Sequence, residues 1–354
     1  MSNELMQALI DLEKERGIPK AALIEAIRMA LNTAYKKNFG TSQNVNVEMN
    51  EITGAVQVYS QKMVVAEVTD KSTEILLEEA LQIDPDAQLD NLINIEITPS
   101  NFGRIAAQTA KQVVVQKLRE AERSMIFEEF ADREGEIVTG TIQRIESKIV
   151  VVNLGRTEGI MLPSDQISNE RYEVGHRIKG YIYEVKNSTK GPSIFISRSH
   201  PAFLKRLFEL EVPEIYDGLV EIKSIAREAG ARSKISVHSL EEGIDSVGAC
   251  VGPRGIRVQN IVNELNGEKI DIIKYSKEPE KFIANALSPS KVIAVEINEA
   301  EKKARVIVPD YQLSLAIGKE GQNARLAAKL TAWKIDIKSE SQAEEELYED
   351  GESS

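Results

Sequence analysis

The spacing of apolar residues predicts two helices in the first forty residues. Leu5, Leu9 and Leu12 recur at helical spacing, and Pro19 interrupts the pattern. Proline suits the first turn of a helix because its missing N–H has no partner there. Helical spacing then continues until Gly40, so we predict a second helix that ends there.

The rest of the first third predicts a small sheet and one long helix. Apolar and polar residues alternate over 45–49, 55–59, 63–68 and 93–97, which predicts an antiparallel sheet. Residues 101–130 contain no proline, and their apolar positions fall on one stripe of a helix. This segment is therefore predicted as a single helix and is the longest periodic stretch of the chain.

A different pattern begins at Gly135. Short β-branched runs are separated by Gly, Asn and Ser turn signals, at 137–145, 149–154, 159–162, 177–185 and 193–197. Five short strands in such close succession predict a small closed barrel of the oligonucleotide-binding (OB) kind.

The remainder of the chain contains one pattern twice. Each copy has a helix, two strands, a four-residue Gly-x-x-Gly loop, a helix and a strand, and the loops at 252–255 and 318–321 lie 66 positions apart. The predicted elements are 203–210, 219–225, 234–237, 256–265 and 270–273 in the first copy, and 280–287, 292–297, 304–308, 322–330 and 334–337 in the second. Repetition at a fixed period indicates a duplicated α/β module.

The fold class is thus multidomain, α/β plus β. We expect an α/β head with a long helix at 1–130, an OB barrel at 135–199, two α/β modules at 200–277 and 278–339, and an acidic, disordered tail at 340–354.

The net charge of −12, taken over the whole chain, argues against a nucleic-acid partner, but the negative charge is unevenly distributed. Residues 1–134 have a net charge of −8, residues 135–338 of +3, and residues 339–354 of −7. We expect a cytoplasmic protein without a membrane partner. The sequence has a single cysteine and no basic and apolar leader, and no apolar run approaches the roughly 18 residues of a membrane span.

The paired loops carry the strongest chemical signal. Glycine lets a phosphate backbone approach the main chain closely, and the following helix N-terminus favours an anion, as in RNA-binding KH modules. A glycine helix cap can produce one such loop, but two in the same context favour RNA binding. The candidate RNA contacts are Gly252, Pro253, Arg254, Gly255 and Arg257 in the first module, and Gly318, Lys319, Gly321, Gln322, Asn323 and Arg325 in the second.

The barrel and the head carry weaker candidates. OB barrels hold single strands in a basic groove, and the basic residues here are Arg144, Lys148, Arg156 and Lys186. In the long helix, Arg104, Lys111 and Arg119 lie on one flank, and residues 99–119 include no acidic residue. A solvated helix face is the alternative explanation for that flank.

No catalytic constellation is recognisable. The three histidines stand singly, Cys250 lies between small apolar residues, and no phosphate-binding Gly-x-x-x-x-Gly-Lys motif is present. We expect no enzyme activity, no cofactor and no metal site.

Long stretches of the sequence resemble the NusA family of bacterial transcription elongation factors. The similar stretches are 101–112, 197–201, 207–215, 229–234, 251–255, 287–292 and 316–327. The resemblance covers residues 1–338 and implies an S1-type barrel followed by two tandem KH domains of the bacterial, type II topology.

The resemblance also implies partners and a function. The head is expected to bind the core of bacterial RNA polymerase near the RNA exit channel, at the β-subunit flap, through Arg104, Lys111, Arg119, Lys36 and Lys37. The barrel and KH domains are expected to hold nascent single-stranded RNA. The family modulates pausing, hairpin-dependent (intrinsic) termination and, with other Nus factors, antitermination, and we expect a monomer.

Two other classes join KH and S1-type modules and remain alternatives. An RNA-processing enzyme such as polynucleotide phosphorylase places them in the opposite order, after a large catalytic core. A ribosome-associated RNA-binding protein would usually be basic throughout.

Overall fold

The computed structural model describes residues 2–40, 44–188 and 191–345. It contains two compact units, residues 1–126 and 127–354. Among the described residues, no helix combines the length and the apolar character needed to span a membrane.

The first unit is a helical and sheet-containing head. Its helices are α1 (Ser2–Arg16), α2 (Lys20–Phe39), α3 (Leu77–Ile83) and α4 (Phe102–Ala131), of which α4 extends into the second unit. Its strands are β1 (Val45–Met49), β2 (Val56–Val65), β3 (Glu74–Leu76) and β4 (Leu92–Glu96). The predicted helices α1, α2 and α4 are confirmed, and α3 was not predicted.

The sheet of the head corrects two predictions. Residues 55–59 and 63–68 were predicted as separate strands, but β2 runs without a break from the first into the second and ends at Val65, because Ser60, Gln61 and Lys62 pair with β4. The sheet is mixed rather than antiparallel, since β2 pairs antiparallel with β1 and β4 and parallel with β3. The core of the head lies between α1, α2, α4 and this sheet and includes Leu23, Leu31 and Phe102.

The barrel matches the prediction in strand number and closure. Its strands are β5 (Ile137–Glu146), β6 (Ile149–Asn153), β7 (Glu158–Met161), β8 (Arg177–Ser188) and β9 (Gly191–Ser197). They close in the order β5-β6-β7-β9-β8, with alternate residues of β5 pointing into the interior. Closure removes the exposed sheet edges that a five-stranded sheet would otherwise have.

The first α/β module begins directly after the barrel. It consists of α5 (Pro201–Glu211), α6 (Pro213–Tyr216), β10 (Val220–Glu228), β11 (Arg232–Ser239), α7 (Ser246–Val251), α8 (Ile256–Glu264) and β12 (Lys269–Lys274). The central strand β11 pairs antiparallel with β10 and parallel with β12.

The second module repeats this topology. It consists of α9 (Pro279–Ala286), β13 (Ala294–Asn298), β14 (Lys303–Val308), α10 (Leu313–Ile317), α11 (Gln322–Thr331) and β15 (Lys334–Ser339). Strand β14 again lies between an antiparallel and a parallel neighbour. The duplication is confirmed, and helices α7 and α10, which were missing from the predicted elements, lead into the two loops.

Buried polar contacts join the barrel to the first module. The Arg198 side chain is 5% exposed, and it donates to Glu170 of the barrel and to the carboxylate and carbonyl of Glu264 in α8. Removing one member of such a pair leaves an uncompensated buried charge, which costs several kcal/mol. Arg198 therefore fixes the position of the barrel relative to α8.

The two modules share a hydrophobic core. Ala226 of β10 is buried in one cluster with Ala327 and Leu330 of α11. At the edge of this contact, the Ser224 hydroxyl donates to the Leu330 carbonyl at 2.9 Å. The sheet of the first module thus packs against the helix that follows the second loop.

The first residues of the predicted tail are ordered. Residues 340–345 are helical, and the side chain of Ala343 is buried. Ser339 and Gln342 form a capping box, with Ser339 N donating to Gln342 Oε1 at 3.0 Å and Gln342 N donating to Ser339 Oγ at 3.3 Å. The prediction of disorder is wrong for 340–345, because the capping box and the burial of Ala343 hold this segment. Residues 346–354 lie outside the described residues.

Candidate nucleic-acid interface

The two Gly-x-x-Gly loops have nearly the same backbone conformation. Gly252 and Gly318 have φ values of 74° and 77°, and Gly255 and Gly321 have values of 75° and 73°. Each loop follows a short helix and ends at the N-terminus of a longer one, α8 or α11. The repeated sequence pattern therefore corresponds to a repeated geometry.

The first glycine of each loop is required by its surroundings. A Cβ at Gly252 would lie 2.6 Å from Cγ of Arg257, and a Cβ at Gly318 would lie 2.8 Å from the backbone nitrogen of Asn323. A side chain at either position would clash in addition to adopting an unfavourable φ. The tight approach keeps the loop backbone close to the first turn of the following helix, where N–H donors can meet an anion.

The residues between the glycines are exposed. Arg254 and Glu320 occupy the left-handed region, with φ of 56° and 54°, which is uncommon for residues other than glycine. Neither Arg254 nor Lys319 makes a side-chain hydrogen bond or ion pair within the described residues. Their positive charges are thus available to a phosphate, whereas the Glu320 carboxylate opposes one.

Two other candidates of the second loop are held by the first module. Glu228, at the end of β10, accepts a hydrogen bond from Arg325 Nε at 2.6 Å and one from Gln322 Nε2 at 2.9 Å. The hydrogen bond from Arg325 lowers the pKa of the Glu228 carboxyl below its ordinary value. The charge of Arg325 is therefore already partnered, although its side chain is 47% exposed.

Arg257 and Asn323 have positioning roles below the loops. Arg257 donates to the Glu214 carboxylate at 2.8 Å and to the Ala249 carbonyl at 2.6 Å. Asn323 is 3% exposed, and its amide donates to the carbonyls of Leu287 and Ala316. The Asn323 side chain thus lies beneath the loop and bonds the backbone that precedes it, and its direct contact with RNA stays a prediction.

The barrel candidates differ in whether they have a partner. Arg144 forms a bidentate pair with Glu158, Arg156 lies 3.4 Å from Glu129, and Lys186 lies 2.8 Å from Glu184. Lys148 is exposed in the β5–β6 turn and has no side-chain partner within the described residues. Positive φ angles at Ser147 and Lys148 fit the hairpin turn that joins two tightly paired strands.

In the head, the predicted basic residues are on the surface. Arg104, Lys111 and Arg119 of α4 are exposed, as are Lys36 and Lys37 in the last turn of α2. One of them, Lys111, lines an apolar cavity of about 450 Å³. The remaining lining includes Leu31, Met49 and Ala110, so this region of the head presents both apolar surface and positive charge.

Apolar residues next to the loops were missed in the sequence. Ile256 directly follows the first loop and is 56% exposed, while Leu315 and Ile317 precede the second and are 44% and 37% exposed. Such residues suit contact with the faces of unpaired bases. The sequence carries no signal for their exposure, because Leu315, Ala316 and Ile317 are three consecutive apolar residues.

Within the described ranges, no group of three His, Cys, Asp or Glu side chains is arranged to hold a metal ion. Cys250 is buried, and burial raises the pKa of its thiol to about 12. A thiol with so high a pKa is a poor nucleophile near neutral pH.

Family models match the chain along almost its whole length. They are the NusA N-terminal domain at residues 4–124, the S1 RNA binding domain at 131–197, the NusA-like first KH domain at 198–275 and the NusA-like second KH domain at 279–345. Proteins named transcription termination/antitermination protein NusA are 60% identical in Halalkalibacterium halodurans, over 98% of this chain and 90% of the relative, and 59% identical in Bacillus subtilis, over 99% and 96%. The chain belongs to the NusA family.

A more distant relative supports the same membership. The NusA protein of Thermus thermophilus is 42% identical over 95% of this chain and 89% of its own length. The resemblance predicted from the sequence and the order of head, S1 barrel and two KH domains are thereby confirmed. The second KH model extends to residue 345, so it includes the helical residues 340–345.

Proposed function

We propose that this chain is a bacterial transcription factor that binds RNA polymerase through its head and holds nascent RNA with its S1 and KH domains. In this function it modulates pausing, intrinsic termination and, with other Nus factors, antitermination. It acts in the cytoplasm as a monomer and without catalytic chemistry of its own. The observation that carries the proposal is the pair of Gly-x-x-Gly loops in one conformation, each with an exposed cation that has no side-chain partner among the described residues.

The RNA side of the proposal rests on how the modules are joined. Arg198 fixes the barrel to the first KH domain, and Glu228 and the shared core fix the first KH domain to the second. Each KH loop can clamp about four nucleotides. Two loops held in fixed positions can therefore bind one strand with little loss of conformational freedom in the protein.

The polymerase side rests on the head. The exposed cations of α4 and the adjoining apolar cavity form a surface with both charge and apolar area, which is the character of many protein interfaces. Arg104 and Lys111 have no side-chain partner within the described residues. We infer that this surface contacts the polymerase near the RNA exit channel, at the β-subunit flap.

The mechanism is a two-point tether. Once the head is bound to polymerase, the RNA-binding domains meet emerging RNA at a high effective concentration, so modest RNA affinity suffices. A net charge of only +3 over residues 135–338 agrees with such modest affinity. Holding the upstream RNA alters whether a hairpin forms at the exit channel, and hence changes pausing and termination.

The loops are tested by replacing their exposed pairs with aspartate. The first variant combines Pro253→Asp with Arg254→Asp, and the second combines Lys319→Asp with Glu320→Asp. Aspartate tolerates the left-handed conformation better than most residues, so the loops should keep their shape. We expect weaker binding of single-stranded RNA and shorter pauses, measured by fluorescence anisotropy and single-round transcription.

Lys14→Asp serves as a control for the second variant, because it makes the same change of charge at an exposed position of the head. It should leave RNA affinity unchanged. Unchanged RNA affinity in both loop variants would refute the assignment of the loops.

The head is tested separately with Arg104→Ala and Lys111→Ala together. We expect weaker binding to core polymerase and unchanged affinity for free RNA, measured by biolayer interferometry and anisotropy. Lys14→Ala with Lys71→Ala, two exposed lysines of the same unit, is the matched control. Loss of RNA affinity with normal polymerase binding would place these residues on the RNA surface instead.

A further inference from the structure

A polar cavity lies between the S1 barrel and the first KH domain. Its volume is about 560 Å³, which is within the roughly 300–1,000 Å³ usual for ligand sites. Both domains contribute to its lining, the barrel through residues that include Arg171 and Arg177 and the KH domain through Asn263 and Glu264. None of these residues belongs to the Gly-x-x-Gly loops.

The charges that line the cavity do not cancel. Its two carboxylates, Glu170 and Glu264, are both bound to Arg198, and Glu264 also accepts from Lys179 at 2.9 Å. Arg171 and Arg177 are exposed and make no ion pair or side-chain hydrogen bond within the described residues. Both residues line this cavity, and neither has a counter-charge within the described ranges. Guanidinium groups are suited to binding a phosphate.

The amides of the cavity provide both kinds of hydrogen-bonding group. Asn263 Oδ1 accepts from Gln259 Nε2 at 2.9 Å, which leaves the Asn263 NH₂ group without a partner in the described part of the chain. Asn266 and Asn169 use their NH₂ groups on backbone carbonyls, at 3.1 Å and 2.8 Å, and their side-chain oxygens accept no hydrogen bond there. Free amide donors and acceptors match the polar edges of a base.

We propose that this cavity binds one nucleotide of single-stranded RNA, with a backbone phosphate on Arg171 and Arg177 and the base edge at Asn263. The inference rests on the proposed RNA-binding function and extends it to a site outside the KH loops. A free nucleotide has the same chemistry. A strand is favoured because the cavity lies between two RNA-binding domains that Arg198 holds in fixed positions.

The test combines Arg171→Gln with Arg177→Gln in the full chain. Since neither residue has a side-chain partner in the described part of the chain, the fold should not be disturbed. For an unstructured RNA of about 20 nucleotides, loss of this one phosphate contact should lower affinity about fivefold near 0.1 M salt, and the slope of log K against log salt by about 0.7. Lys14→Gln with Lys71→Gln makes the same change of net charge in the head and should change neither quantity.

A second measurement locates the strand directly. RNA containing 4-thiouridine should crosslink to peptides that include residues 169–177 or 263–266, in addition to peptides of the KH loops. Loss of affinity together with this crosslink supports the proposal. If the double variant binds RNA with normal affinity while the KH-loop variants bind it weakly, the proposal that this cavity binds RNA is overturned and the proposed function is unaffected.

Two further outcomes separate the remaining possibilities. If adenosine monophosphate alone shifts the NMR signals of Asn263 while the double variant binds RNA normally, the site takes free nucleotides and the RNA assignment is overturned. If neither the loop variants nor the pocket variant alters RNA binding, the RNA-binding function proposed for the loops fails together with this inference.

Discussion

The structure divides the cations near the loops into free and partnered ones, and this division predicts different salt dependences. Arg254 is exposed and has no partner within the described residues, whereas Arg325 donates to Glu228 at 2.6 Å and to the Glu320 carbonyl at 3.1 Å. A free cation releases a counterion from RNA when it meets a phosphate, while a cation that stays paired to a carboxylate contributes little. Arg254→Gln should therefore affect the salt dependence, and Arg325→Gln should not.

The magnitude follows from counterion release. Each phosphate contact contributes about 0.7 to the slope of log K against log salt for a single strand. Near 0.1 M salt this equals about 0.7 log units, a fivefold loss of affinity or roughly 1 kcal/mol, and the loss disappears toward 1 M. Lys319→Gln should have the same effect, and the two changes together should lower affinity about 25-fold. Glu320→Gln should act in the opposite direction, because it removes a negative charge beside the phosphate.

The assay is fluorescence anisotropy of a labelled single-stranded RNA over a series of salt concentrations. Circular dichroism of each variant confirms that the fold is retained. If Arg325→Gln reduces the slope as much as Arg254→Gln, or if Arg254→Gln leaves it unchanged, then intramolecular pairing does not decide which cations bind phosphate and the reasoning is refuted.

Three further predictions concern stability and reactivity. The pKa of Glu228 lies below its ordinary value of 4.5, so its contribution to the free energy of unfolding is present above that pH and is lost as the pH falls through the lowered pKa. Glu228→Gln should therefore lower the free energy of unfolding by about 0.5–1 kcal/mol near pH 7, measured by urea denaturation, and should weaken the loss of stability below pH 4.5. An unaltered loss of stability in acid would contradict this. Cys250, whose buried thiol has a pKa raised to about 12, should react with iodoacetamide only after denaturation, and rapid alkylation of the native protein would contradict its burial. Truncation after Glu345 should leave the melting temperature unchanged and, if the acidic residues beyond it compete with RNA, tighten RNA binding at low salt. Truncation after Lys338 should destabilise the second KH domain by about 1–2 kcal/mol, because it removes a capping box and buried Ala343. Equal stability of the two truncated proteins would refute the stabilising role of residues 339–345.

Features determined by local patterns were predictable from the sequence. The long helix α4 has an uninterrupted apolar stripe, and the barrel strands are separated by clear turn signals. The Gly-x-x-Gly loops were recognisable because their glycines are needed for backbone geometry, which is the same in both copies. For such features the chain neighbours alone determine most of the structure.

Features that depend on distant residues were not predictable. Arg325 was a candidate RNA contact, but its charge is bound by Glu228, which lies 97 positions earlier in the chain. Asn323 has the polarity of a surface residue, yet its amide bonds two carbonyls that lie outside its own helix. These contacts form only in the folded module, so the residue pattern of the helix could not predict them. The cavity at Arg171 and Arg177 likewise depends on contacts between the barrel and the first KH domain, among them the hydrogen bonds of Arg198 to α8.

The order of the first tail residues shows the limit of composition. Residues 339–354 carry seven acidic and no basic residues, which is typical of disorder. In the structure, however, Ser341 bonds the Asp310 carboxylate at 2.7 Å, and the Ser339 and Gln342 caps begin a helical turn. A short capping motif can therefore order an acidic segment when a neighbouring folded surface provides a hydrogen-bond partner.

The central claim is that the head binds polymerase while the KH loops hold the emerging RNA. Site-specific photocrosslinking within a paused elongation complex tests both contacts at once, with the crosslinker placed at Lys111 in one protein and at Lys319 in another. The account predicts that the probe at Lys111 labels the β subunit of polymerase and that the probe at Lys319 labels RNA just upstream of the exit channel. Labelling of RNA from Lys111, or of polymerase but no RNA from Lys319, would contradict it.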